Sequence, residues 1–200
     1  MMKSTMNTLP DDYQERLHFQ VTARGRILRL NLAAIALMLF WGVVILGLWF
    51  VYHGTLNAPF VIESLPTTLS SLAVIVILVA VLGLHEWVHG LAMRYFGHKP
   101  RYGIKPLKGV LYATADGAYF WRNQYITVAL APFAVITPLA IIIGFLFPAD
   151  ASLIWMGAAI LNATGAIGDF WMSYIAAKYP KDALFQDVED GMRVFTSEAA

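Results

Sequence analysis

The chain has 200 residues, 58% of them hydrophobic and 14% charged, whereas a soluble domain carries about a quarter charged residues. With a mean hydropathy of +0.61 and a formal net charge of +1, it reads as a polytopic membrane protein built around one helical bundle, and no nucleic-acid partner is expected. Cysteine is absent, which excludes disulfides, thiolate metal sites and a cysteine nucleophile.

Residues 1–29 form a charged N-terminal segment. Its part from Tyr13 to Leu30 reads either as an amphipathic interfacial helix or as a solvated basic flank. The first apolar run, Leu30 to Tyr52, is too long for a cleavable signal core and is expected to be retained. A second span runs from about Pro66 to Phe96. A third covers roughly Gln124 to Phe147, with Pro132 and Pro138 inside it. A fourth, Ser152 to Tyr179, is interrupted by one charge, Asp169. Between the second and third spans, Val110 to Ala113 and Ala118 to Trp121 read as paired strands around the Asp116-Gly117 turn, or else as an ordinary loop. The tail, 180–200, reads as a short helix or disorder. The expected fold is therefore an all-α membrane protein: four transmembrane helices over residues 30–179, with a short cytoplasmic-side β-hairpin between helices two and three.

Orientation follows the basic residues near the span ends. Arg24, Arg26 and Arg29 precede the first span, and six basic residues from Arg94 to Arg122 separate the second from the third. Lys178, Lys181 and Arg193 follow the fourth, while the loops after spans one and three have no Lys or Arg. Both termini are expected to be cytoplasmic in a multi-pass cell-membrane protein.

The chemistry concentrates in "LHEWVHGL", Leu84 to Leu91. His85, Glu86 and His89 form H-E-x-x-H. Helical residues four apart lie on one face, so both imidazoles can meet one ion, and neutral imidazole suits zinc. Glu86 is turned by about 100° and can reach a water without being a ligand. The plainer reading is an interfacial helix end whose polar groups reach water. A catalytic zinc needs a third protein ligand and an open position. Asp169 is the only charge between Asp150 and Lys178. It lies nine residues before Lys178, as His85 lies nine before Arg94, so on straight helices the two share a depth. The spacing also puts Asn162, Gly165, Ala166, Asp169 and Ser173 on one face. From there Asn162 could bind a substrate backbone or support a ligand. Asp116, His98, His53, His18 and Glu63 fit the third position less well; His98 is expected to be exposed.

This constellation resembles the intramembrane metalloproteases of the site-2 protease type. With the four-span layout and "ALAP", Ala129 to Pro132, it is closer still to the "putative zincin peptidase" family of small polytopic membrane proteins. The stretch "NATGAIGDF", Asn162 to Phe170, lacks the prolines of site-2 proteases, and its glycine precedes the aspartate. The resemblance implies zinc-dependent hydrolysis of peptide bonds within or beside the membrane. One Zn²⁺ on His85, His89 and Asp169 with Glu86 as general base is the expected centre, and membrane proteins or peptides are the expected substrates. A non-proteolytic metal-binding chaperone or adaptor would need the histidines without Glu86. A metal or proton transporter would need polar groups through the outer half of the bundle, where spans one and three are apolar.

Overall fold

The computed structural model describes residues 6–20, 25–54, 67–105, 110–188 and 191–197. Strand β1 (Tyr13–Gln20) leads to helices α1 (Arg26–His53) and α2 (Thr67–Tyr95). Strands β2 (Arg101–Lys105), β3 (Val110–Thr114) and β4 (Phe120–Trp121) follow, then helices α3 (Arg122–Phe145), α4 (Ala149–Gly165) and α5 (Ile167–Ala177). Strands β5 (Leu184–Val188) and β6 (Gly191–Ser197) complete the order. Helices α1, α2 and α3 are each long and apolar enough to cross a membrane; α4 and α5 add a fourth candidate if that pair, bent by 40°, counts as one span.

The chain divides into two compact units. One holds Asn31–His85 and Pro132–Ile167. Its core is Ile45, Trp49, Ala140, Met156 and Ala159. The end of the Met156 side chain packs directly on Gly144, where a Cβ would lie 2.7 Å from Met156 Cε. Leu39, Val43, Leu72, Ile75 and Val79 remain exposed along α1 and α2. Such apolar surfaces suit lipid, where helices are held by packing and polar contacts rather than by release of water.

The other unit holds Met1–Leu30, Glu86–Ala131 and Gly168–Ala200. An antiparallel sheet in the order β1-β6-β5-β4 lies at its heart. The sheet buries Phe19, Phe120, Phe185, Met192 and Val194 against Met93 of α2, Tyr125 and Val128 of α3 and Ala176 of α5.

The fold is thus mostly helical with a sheet region, not all-α. Tyr13–Gln20 is a strand rather than a helix or loose flank, since Leu17 and Phe19 alternate with exposed His18 and Gln20. Among the described residues of the tail, Leu184–Val188 and Gly191–Ser197 likewise form an antiparallel β5–β6 pair rather than a helix. Its acidic composition hides Leu184, Phe185, Met192, Val194 and Phe195, all buried. Its partner β1 lies at the opposite end of the sequence, with Tyr13 opposite Ser197.

The Asp116-Gly117 turn is present: Ala118 N–H donates to Ala115 O at 3.1 Å and Gly117 has φ +70°. The strands beside it do not pair with each other. β3 pairs with β2, Arg101 opposite Thr114, and β4 pairs with β5. An ion pair between Arg101 and Asp116 ties β2 to the turn, and the buried Phe120 and Phe185 sit opposite each other in the β4–β5 pair.

Candidate metal centre

Helix α2 continues unbroken through "LHEWVHGL", so His85 and His89 lie one turn apart. The fourth predicted span does not continue. It breaks at Ala166, whose N–H still donates to Asn162 O at 3.1 Å, and α5 restarts at Ile167. Asn162, Gly165 and Ala166 therefore do not share one straight helix face with Asp169 and Ser173, and the depth count made on a straight helix does not apply. The break places Asp169 in the first turn of α5, where the helix dipole favours a negative charge.

His89 Nε2 lies 3.5 Å from Asp169 Oδ1. One ligand atom each of His85, His89 and Asp169 falls within 4.8 Å of the others. Tetrahedral zinc with ligands at about 2.0–2.1 Å separates them by roughly 3.4 Å, so modest closure around an ion suffices.

The hydrogen bonds around the rings set their tautomers. His89 Nδ1 lies 2.9 Å from Val128 O. A carbonyl only accepts, so Nδ1 carries a proton, which leaves Nε2, on the Asp169 side, as the nitrogen that would present its lone pair to an ion. Asn162 Nδ2 donates to Pro132 O at 3.1 Å and to Thr137 Oγ1 at 2.9 Å. Its oxygen therefore accepts from His85 Nδ1 at 3.0 Å, and the His85 lone pair is again on Nε2. Metal-ligating histidines are typically fixed in this way by a partner on the other nitrogen. The donor set, two neutral imidazoles and a carboxylate, fits Zn²⁺. Asn162 is only 2% exposed, so its side chain is spent inside the protein on His85, Pro132 and Thr137.

Two features of the centre were not read from the sequence. The first is the source of the acceptor for His89. Pro132 lies four residues after Val128 inside α3 and has no N–H to donate to Val128 O. The second is Asp187 on β5, a neighbour of the centre in electrostatic terms. Burial pushes its pKa up to about 7; the charges of Asp169 and Glu86 add to the rise, and Thr114 and His89 oppose it. No signal in "LFQDVED" separates this carboxyl from a solvated one.

Asp187 gives a signed prediction. Its folded pKa lies above the unfolded value of 3.8. The stability it contributes is full below about pH 4 and is lost as pH rises through about 7. In the metal-free protein, Asp187→Asn is expected to raise stability by on the order of 1–3 kcal/mol above pH 7 and by little at pH 4. Thermal unfolding across that range measures it; a pH-independent difference would contradict it.

The remaining candidates lie elsewhere. Asp116 is exposed and paired with Arg101. His53 Nε2 lies 3.3 Å from Ser152 Oγ. His18 is exposed on β1 opposite Arg193. Glu63 falls outside the described residues. His98 is buried, not exposed: it packs on Phe120 with ring centroids 4.4 Å apart, and burial holds its pKa below the usual histidine value. The polar sequence "FGHKP" around it gave no sign of this.

Comparison with known proteins agrees with the chemistry of the donor set. An archaeal protein from Pyrococcus woesei, described as "Uncharacterized 24.7 kDa protein in gap 5'region", is 30% identical over 112 residues. That match covers 55% of this chain, and the chain spans about half (49%) of the length of that relative. No solved structure matches. A family model described as "Putative zincin peptidase" matches residues 76–184, the stretch that carries His85, Glu86, His89, Asn162 and Asp169. The chain belongs to the family so described, "Putative zincin peptidase".

Proposed function

We propose that the protein is a zinc-dependent endopeptidase that cuts membrane-embedded or membrane-associated polypeptides near the cytoplasmic face. The observation that carries this reading is the convergence of His85, His89 and Asp169, with the Nδ1 of each histidine engaged by Asn162 or Val128, which leaves Nε2 to meet a shared ion. Family membership supports the zinc metallopeptidase class. We read the chain as four membrane spans with both termini cytoplasmic, on the strength of the apolar helices and the basic residues beside them.

His85, His89 and Asp169 would hold one Zn²⁺, which when bound supplies Lewis acidity that activates a water and polarises the scissile carbonyl. Glu86 stands next to His85 and about 100° round the helix. Its carboxylate accepts the proton of the attacking water as the new C–O bond forms. It then returns that proton to the amine nitrogen as the C–N bond breaks. Asn162 keeps the His85 ring oriented throughout. Substrate strands must be extended to expose a peptide bond, and the β2–β3 hairpin offers an edge for pairing.

The test uses purified protein in liposomes with a mixture of membrane-spanning peptides. New peptide termini, read by mass spectrometry, are expected with zinc, lost on chelation and restored by adding zinc back. Zinc bound with no cleavage of any peptide would favour an adaptor. Zinc uptake into the liposomes would favour a transporter.

A further inference from the structure

We propose that Pro132 is a positioning residue for both metal-binding histidines, an assignment that rests on the metal reading above. A proline inside a helix withholds the N–H that would bind the carbonyl four residues back, and its ring pushes that carbonyl off the helix axis. In α3 that carbonyl belongs to Val128. It is the group that accepts from His89 Nδ1 at 2.9 Å. The carbonyl of Pro132 itself accepts from Asn162 Nδ2 at 3.1 Å. Asn162 in turn accepts from His85 Nδ1 at 3.0 Å. One backbone irregularity thus reaches each imidazole through its own hydrogen bond.

Pro132 is fully buried, and Val128 and Asn162 are buried as well. In such surroundings a carbonyl displaced by proline must find another donor. The His89 ring supplies it, and the same bond fixes which nitrogen carries the lone pair. Pro138 offers the internal comparison. It lies in the same helix but on an exposed side, and the carbonyl four residues before it belongs to exposed Ala134. A proline kept only to bend α3 would act alike at both positions.

The experiment compares Pro132→Ala with Pro138→Ala in the full-length chain. Alanine at 132 restores an N–H that competes for Val128 O and lets the carbonyl return to the helix axis. Metal-free Pro132→Ala is expected to melt at the same or a higher temperature than the wild type. Its zinc affinity, measured against a competing chelator, is expected to fall by about 10- to 100-fold, the range for partners that orient a metal ligand. Nitrogen NMR of histidine-labelled, zinc-loaded protein is expected to show the His89 Nδ1–H hydrogen bond weakened. Pro138→Ala is expected to keep wild-type zinc affinity. Unchanged affinity in Pro132→Ala, equal losses in both variants, or a lower melting temperature of metal-free Pro132→Ala would each overturn the proposal. The first of these, with zinc still bound by the wild type, leaves the metal reading standing. A wild-type chain that binds no zinc overturns both.

Discussion

Asp169→Ala is expected to empty the metal centre while leaving the fold in place. Asp169 is the only carboxylate of the ligand set, and the two remaining groups are imidazoles, which bind zinc in their neutral form. Zinc affinity should therefore fall by more than the roughly 10- to 100-fold that follows loss of an outer partner. Structural consequences are limited, because Asp169 sits in the first turn of α5 and alanine is a good helix former. The measurement is bound zinc per chain by elemental analysis, with affinity from chelator competition and secondary structure from circular dichroism. Full zinc occupancy in a folded Asp169→Ala protein would remove Asp169 from the ligand set.

Glu86→Gln has a different signature. Glutamine keeps the size and hydrogen-bonding reach of the side chain but cannot take a proton from water. Zinc should stay bound, since Glu86 is not among the converging ligands. Peptide cleavage should fall by about 10²–10⁴-fold, the usual contribution of a positioned general base. Zinc content and cleavage rate, measured on one preparation, separate this from Asp169→Ala. Cleavage at the wild-type rate would show that Glu86 is not the base. Loss of zinc would give it a ligand's role instead.

The contrast between these variants shows which parts of the centre were legible in the sequence. His85, Glu86 and His89 are local: their spacing alone puts two imidazoles on one helix face. Asp169 stood out because a lone charge in an apolar run needs a reason. The helix break that delivers it was not legible, although Gly165 and Gly168 flank it. Asn162 could be singled out, but its role depends on Pro132 and Thr137 of another helix. In the sequence Pro132 is only a proline inside an apolar span, because nothing local shows where a displaced carbonyl points. The first three apolar helices were legible from hydropathy, with ends within a few residues of those observed, whereas the fourth segment is two helices. The sheet was not, because β1 finds its partner only at the far end of the chain.

That last pairing separates the order of synthesis from the order of assembly. β6 lies between β1 and β5, so β1, made before the helices, cannot take its place in the sheet until β6 follows. All three proposed ligands and Glu86 are translated before Gly191. A nascent chain can thus carry every reacting group while the sheet of its own unit is still open. The core that joins this sheet to the ends of α2, α3 and α5 closes only with β6, which supplies Met192 and Val194. Such a sequence of events postpones completion of this unit until the helices have been made.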